Sequence, residues 1–509
     1  MRTELFVIAF VITSKLVVDT INHIQHLMRA RRLLCKLPPK RTSYVFGIDH
    51  IWRLGKADWD MKLPQFLIKI FDETKTSKGL AAYTVKQDQL GETSFFTCDP
   101  KNIQAVLASQ FHDFEFGENR RNAFHPLLGT GIFAADGKMW ERSRTLLRPQ
   151  FSREQISDLD LEERHVQNAM QVIPVNVTGW TDTVDLQTIF FRLTLDTSTE
   201  FLFGESVESQ IKALQTHTNK VDSLSHANFG QEFDKSQWYL SFRVRLQQFY
   251  WIINPYNFRH SVKVVHEHTD RFVNKALRRM SGKSTETLDE GKPKYVFLEA
   301  LAKQVKDPPE LRSQVLSVLL AGRDTTASLL CWFIRFMIDH PRVYLKLRNI
   351  VVEEFGSYKE PRNITFASLK ACRYLQFCMN ETLRLNPVVP INVRAAAKDT
   401  TLPRGGGEKG LDPVYVRKGQ MIMYSVHATH RLKEYWGDDA NEFKPARWDG
   451  LRHGWEYLPF NGGPRICPGQ FLQRFDILQG INHSKEDLSY QTLTSAPAEF
   501  VKVRMHEAA

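Results

Sequence analysis

Hydrophobic and polar positions along this 509-residue chain repeat mostly with the 3.6-residue period of α-helices. The longest such run, "ELRSQVLSVLLAGRDTTASLLCWFIRFMIDHP" from Glu310, follows Pro308-Pro309 and stops before Pro341, as helix boundaries should. Its middle breaks the apolar pattern: Ala321-Gly322 and Asp324-Thr325-Thr326 set a glycine, an acid and two hydroxyls inside a hydrophobic stretch. Buried without partners, such groups cost several kcal/mol, so they are either partnered or used. A threonine there can bond the carbonyl one turn back and open the helix locally. A second run places Leu369, Cys372, Leu375, Met379 and Leu385 around "NETLRLNP", a helix with much of its surface covered. Period-two alternation is rarer. Val414, Val416, Met421 and Met423 predict short strands flanking a turn at Lys418-Gly419, after a loop "RGGGEKGLDP" from Arg404. The polar stretch from Gly282 to Lys294 predicts another loop; its "GKS" lacks the upstream glycine of a phosphate-binding loop, Leu277 standing there. The expected fold class is mainly α with a minor β part, without internal repeats.

At the amino terminus, Leu5 to Val18 is apolar apart from Thr13, Ser14 and Lys15, and falls short of the ~20 residues a bilayer span needs. A tilted span reaching Ile24, with Lys15 snorkelling, would be long enough. The other reading is an amphipathic surface helix over "INHIQHLMRARRLL". The basic cluster Arg29, Arg31, Arg32, Lys36, Lys40 and Arg41 surrounds a Pro38-Pro39 hinge and would stay, with all that follows, on the cytosolic side. Either way the chain is expected at a membrane.

Composition narrows this further. Hydrophobic residues make up 42% and charged residues 25%, as in a globular protein with a sizeable core, and a mean hydropathy of -0.35 excludes a polytopic membrane protein. The net charge of +11 (68 Lys+Arg against 57 Asp+Glu) suits a membrane surface or an acidic protein partner. No aromatic-and-basic stripe points to nucleic acid. The six cysteines form no CxxC pair; five read as small buried apolar residues in a reducing compartment.

Cys467 differs through its neighbours. In "FNGGPRICPGQFLQRFDILQG" (Phe460 to Gly480), Gly462, Gly463 and Gly469 let the backbone fold tightly and aim N–H groups at the sulfur. A lone thiolate lacks the companions of a structural zinc site. It can supply the single axial ligand of a haem iron, or act as a nucleophile with a histidine base that no local pattern identifies. Glu381 and Arg384, at i and i+3, would form an ordinary surface pair if exposed; buried, they need a third partner, which "FKPARW" could supply as Arg447.

Together these stretches resemble the cytochrome P450 monooxygenases. The haem-loop pattern F-x-x-G-x-R-x-C-x-G is met by Phe460, Gly463, Arg465, Cys467 and Gly469, and A-G-x-D-T-T by Ala321, Gly322, Asp324, Thr325 and Thr326. E-x-x-R is Glu381 and Arg384, P-x-R-W is Pro445, Arg447 and Trp448, and W-x-x-x-R is Trp140 and Arg144. Within the family, "GTGIFAADGKMWERSRTLLRPQFS", "LPRGGGEKGLDPVYVRKGQ" and "YLPFNGGPRICPGQ" look most like the fungal hydroxylases of n-alkanes and fatty acids.

The resemblance implies a haem b domain over 38–509, with the haem between the long central helix and the cysteine loop, behind a membrane anchor and basic hinge over 1–37. It implies Cys467 as axial ligand, with Trp140 near a propionate and Arg144, Arg394 and Arg465 as candidates to pair the propionates. Asp324 and Thr325 would relay protons during O2 activation, and Glu381, Arg384 and Arg447 would be structural. NADPH-cytochrome P450 reductase would supply electrons, with cytochrome b5 as a second donor, at the endoplasmic reticulum membrane. The substrate would be lipophilic and hydroxylated at a terminal carbon.

One departure stands out. The family runs from the cysteine loop into a long helix, whereas here Gly469-Gln470 passes directly into "FLQRFDILQG", so three to four helical turns are expected to be missing. The alternative this raises is a haem-deficient, non-catalytic membrane-anchored remnant.

Overall fold

The computed structural model describes residues 2–44, 47–152, 159–173, 175–218, 227–281, 295–469, 489–491, 493–497 and 501–503. Helices dominate: α1 (Arg2–Arg32), α2 (Glu118–Leu128), α3 (Gly137–Leu147), α4 (Leu186–Phe203), α5 (Ala227–Arg245), α6 (Tyr256–Met280), α7 (Pro308–Asp339) and α8 (Arg373–Leu385) are the principal ones.

The expected central helix is α7. The Asp307 carboxylate caps it by accepting the Glu310 N–H at 2.9 Å, and the two prolines occupy its first positions, where a missing N–H costs nothing. The half from Leu311 to Leu320 packs with Phe229, Phe233, Val265 and Phe297 in one apolar core. The half from Leu329 to Ile338 packs with Leu375, Met379 and Leu383 in another. The polar middle, Ala321 to Thr326, falls at the seam between the two cores. The helix stays continuous there, with the Thr325 hydroxyl bonded to the carbonyl one turn back.

A five-stranded sheet runs in the order β1-β2-β7-β4-β3, where β1 is Thr84–Gln89, β2 Glu92–Thr97, β3 Phe114–Glu115, β4 Ile391–Ala396 and β7 Met421–Ser425. β5 (Thr400–Gly406) and β6 (Asp412–Val416) form a separate hairpin. The strands on either side of Lys418-Gly419 therefore exist but belong to different sheets. The loop expected from Arg404 is half strand: the chain turns only at Gly407 and Gly410, whose φ values of 75° and 69° suit glycine.

The amino terminus also departs from expectation. Among the described residues no helix is long and apolar enough to cross a membrane, because Lys15, Asp19, Asn22, His23, Gln25 and His26 interrupt the apolar run of α1. The last turns of α1 meet the β5–β6 region, where Arg29 pairs with Asp399 and His26 Nδ1 lies 3.2 Å from the Tyr415 hydroxyl. Around Pro38-Pro39 the chain is bonded to the body: Lys36 N–H donates to the Pro413 carbonyl at 2.8 Å, and Lys86 N–H to that of Pro39 at 2.9 Å. The expected loop at Gly282 and the expected loss of a helix after Gln470 lie outside the described residues.

Candidate functional site

Phe460 to Gly469 folds around a short helical turn, Gly463–Arg465. The turn lies against the Ala105–Ser109 segment, and Gly463, at φ 65°, leaves no room for a side chain: a Cβ there would sit 1.9 Å from the Leu107 carbonyl oxygen. The Cys467 N–H donates to the Phe460 carbonyl at 3.0 Å, closing the loop so that the half-buried sulfur follows the turn. Burial pushes the Cys467 thiol up; the Gly469 N–H and the Arg144 guanidinium pull it back down. A cation and a backbone donor thus face a sulfur that is costly to ionise alone, an arrangement suited to a thiolate bound to a metal.

Arg465 reaches back to the turn before α3. Its Nη1 and Nη2 donate to the Ala135 carbonyl at 3.2 and 3.3 Å, and Nη2 also to the Asp136 carboxylate at 2.9 Å. Its guanidinium lies 4.1 Å from the centre of the Phe116 ring and 4.4 Å from that of Trp140. Two further arginines stack on the same phenylalanine, Arg120 at 4.1 Å and Arg394 at 4.7 Å. The topology explains the meeting: β3 pairs with β4, setting Phe114 opposite Ala396, so Phe116 just beyond β3 falls beside Arg394.

Asp136 is the carboxylate bonded within this cluster, and it is already engaged by the Phe116 and Gly117 N–H groups at 2.8 and 3.2 Å and by Arg121 at 2.7 Å. Burial, followed by repulsion from Arg394, lowers Arg465 to about 9 and Arg120 to about 10. Among the described residues this corner holds more buried positive charge than it can neutralise. It fits an anionic ligand carrying carboxylates.

On α7, Thr325 and Ala321 are part-exposed on one line of a helix buried almost everywhere else, and the Thr325 hydroxyl donates to the Ala321 carbonyl at 2.5 Å. Gly322 lies against α4, where an added Cβ would come within 3.3 Å of Ser198. Asp324 is buried on the flank. It accepts from Arg323 Nη1 at 3.1 Å and from Gln237, while Arg323 also pairs with the half-exposed Asp234 on α5. Burial raises the Asp324 carboxyl to about 6, against the pull of Arg323.

Glu381 and Arg384 are fully buried and bonded through two N–H···O contacts of 2.8 and 2.9 Å. Arg447 Nε joins Glu381 at 2.8 Å, with Trp448 Nε1 at 3.0 Å and the Lys444 N–H at 2.9 Å. Arg384 spends its other donors on the carbonyls of His430, Ala440 and Glu442. The buried pair therefore has its third partner and no donor to spare.

The cytochrome P450 family profile matches residues 77–481, well over half of the chain. The chain is a cytochrome P450.

Several proteins similar to it are fungal. It is 45% identical to cytochrome P450 monooxygenase g430 of a Fusarium species over 97% of this chain and 89% of that protein. It is 40% identical to cytochrome P450 monooxygenase alt2 of Alternaria solani (95% and 94%) and 45% identical to cytochrome P450 52A13 of Debaryomyces hansenii (85% and 84%). P450 enzymes carry haem, and the residues of this P450 fit one: Cys467 offers a thiolate, and the crowded arginines offer partners for the two propionates.

Sequence reasoning brought Arg394, Arg465 and Trp140 forward, and the structure gathers all three near Phe116. Arg144 lies close enough to the cysteine to lower its thiol. Four residues of this P450 were missed: Arg120, Asp136, Asp234 and Gln237. Arg120 and Asp136 bracket the stretch before Trp140, where an arginine and an aspartate around a Gly-rich loop were the available signal. Asp234 and Gln237, at i and i+3 on one helix, carry no local mark.

Proposed function

We propose that this P450 hydroxylates a lipophilic chain molecule, an n-alkane or fatty acid, at its terminal carbon, taking one oxygen atom from O2. The observation that carries the haem reading is the buried arginine excess around Phe116 beside a turn that presents Cys467. The substrate class rests on the three stretches that look most like fungal alkane and fatty-acid hydroxylases.

When bound, the haem supplies oxygen activation and C–H hydroxylation. Cys467 would hold the iron through its thiolate; Arg465, Arg394 and Arg120 would hold the propionates, with Trp140 packed beneath Arg465. Asp324, raised to about 6, exchanges a proton near neutral pH and passes it toward Thr325. Arg323 and Asp234 keep that carboxyl anchored and in reach of solvent. Glu381, Arg384 and Arg447 lock the scaffold. Electrons come from a membrane-bound NADPH-dependent reductase, or cytochrome b5, docking an acidic surface near the exposed Lys138 and Arg148 beside Arg144. α1 holds the body at the endoplasmic reticulum membrane.

The test is the ferrous–CO spectrum of the expressed full chain, followed by product analysis with reductase, NADPH and n-alkanes or fatty acids of graded length. A red-shifted Soret band and terminal alcohols are the expected results. A chain that takes up no haem overturns the reading and leaves the non-catalytic remnant.

A further inference from the structure

His430, fully buried, stands between the buried ion-pair network and the cysteine loop. Its carbonyl accepts Arg384 Nη1 at 2.9 Å. Its ring makes two more bonds in opposite directions: Nδ1 lies 3.0 Å from the Arg384 carbonyl at the end of α8, and Nε2 accepts the Leu458 N–H at 2.7 Å. Because a backbone N–H can only donate, Nε2 is the bare nitrogen and Nδ1 carries the proton, which it gives to the Arg384 carbonyl. Burial, reinforced by the charges of Arg384 and Arg431, lowers the imidazole to about 3, so this tautomer holds across the working pH range.

Leu458 begins the approach to the loop. Its carbonyl accepts the Asn461 N–H at 3.2 Å, and Phe460, one residue earlier, accepts the Cys467 N–H at 3.0 Å. The turn that follows is a single short helical turn with little regular hydrogen bonding of its own, so its place depends on what grips its entry. His430 is one grip; the Tyr424 hydroxyl on Asn461, at 3.2 Å, is another.

We propose that His430 is a positioning residue for the cysteine loop, its ring bridging the last turn of α8 to Leu458 and so fixing where Phe460 and Cys467 stand. The inference rests on Cys467 being the haem ligand, but its first test does not.

Three substitutions separate the two ring bonds. His430→Gln keeps an acceptor near Nε2 for the Leu458 N–H and loses the donor to Arg384. His430→Asn keeps a donor near Nδ1 and loses the acceptor. His430→Phe loses both. Hydrogen exchange on the full chain, with and without haem, reports the peptide from Leu458 to Ile466. A buried N–H left without an acceptor shifts the local opening equilibrium by about tenfold or more. Exchange in that peptide is expected to quicken by this factor in the Asn and Phe variants and by clearly less in Gln, while α7 peptides stay protected. With haem bound, Asn and Phe should lose part of the red-shifted ferrous–CO band to the shorter-wavelength neutral-thiol form, and Gln should retain it. Parent-like exchange and spectra in the Asn variant overturn the proposal. So does loss of protection throughout the chain in all three variants, which would make His430 a general core residue. If the parent takes up no haem, the haem reading fails, and the exchange order among the haem-free variants still decides the role of His430.

Discussion

Replacing Glu381 with glutamine tests the most heavily bonded carboxylate among the described residues. Its two oxygens accept five N–H groups: Oε1 takes Arg384 Nη2, Arg447 Nε and the Lys444 N–H, and Oε2 takes Arg384 Nε and Trp448 Nε1. Glutamine preserves the shape but turns one oxygen into a donor. In its better orientation, the amide nitrogen replaces Oε2, loses two bonds and faces two N–H groups head-on. It also leaves Arg384, with a 0% exposed side chain, and Arg447, at 10%, without their shared counter-charge. Removing one partner of a buried ion pair costs about 3–5 kcal/mol. Set against a total stability of about 5–15 kcal/mol, that is enough to bring the fold near its limit. Urea unfolding of the purified full chain, followed by far-UV circular dichroism, should show a loss of this size, with Arg447→Leu milder because its guanidinium keeps some contact with water. A Glu381→Gln variant within about 1 kcal/mol of the parent would refute the reasoning, since surface substitutions fall in that range.

Other outcomes follow from the same geometry. Because burial holds Asp324 above its unfolded value, the folded state keeps an extra proton between roughly pH 4 and 6, and stability falls as pH rises through that window. Asp324→Asn should flatten that slope in urea titrations and slow turnover by about 10²-fold; a slope unchanged from the parent counts against the burial argument. Arg394→Leu removes a buried cation from a crowded cluster, so the haem-free chain should melt no lower than the parent while haem transfers to apomyoglobin about tenfold faster. A lower melting point without haem contradicts this. Gly463→Ala drives a methyl against the Leu107 carbonyl, and should abolish the red-shifted ferrous–CO band while leaving helix content intact.

The cysteine loop, α7 and the partnership of Arg447 with Glu381 were legible because each is written in a compact pattern whose chemistry demands those residue types. Glu381 and Arg447 are far apart in sequence, yet a buried carboxylate between two segments each carrying an arginine made their meeting expected. Other features resisted for identifiable reasons. Period-two alternation marks Met421–Ser425 as a strand but says nothing about its partners, which lie at Phe95 and Arg394, far away in the chain. The stacking of Arg120 on Phe116 depends on β3 meeting β4, and no local spacing announces it. For α1 the apolar start left a span and a surface helix both open, and the polar positions that recur past Val18 are what leave the helix short of a span. His430 sits in an unremarkable "HATHR", and only the fold shows that its two ring nitrogens face different segments.

Two buried arginine clusters in this P450 meet opposite demands. Around Glu381, the N–H groups of Arg384 and Arg447 are all taken up by carboxylates and carbonyls, and nothing further can be admitted without breaking a bond. Around Phe116, three guanidinium groups share one aromatic ring, and the carboxylate bonded to Arg465, Asp136, is already engaged by two backbone N–H groups and Arg121. Burial first, and repulsion from Arg394 second, lower Arg465 to about 9, because water no longer solvates or screens these charges. The first cluster is a closed fastener, the second an open socket. Two propionates entering that socket would relieve repulsion as well as form bonds, so haem uptake should draw part of its free energy from strain already present in the protein. The fastener also grips the entry to the cysteine loop at Leu458: His430 ties the part of the fold that must not move to the loop that must arrive with its sulfur in one place.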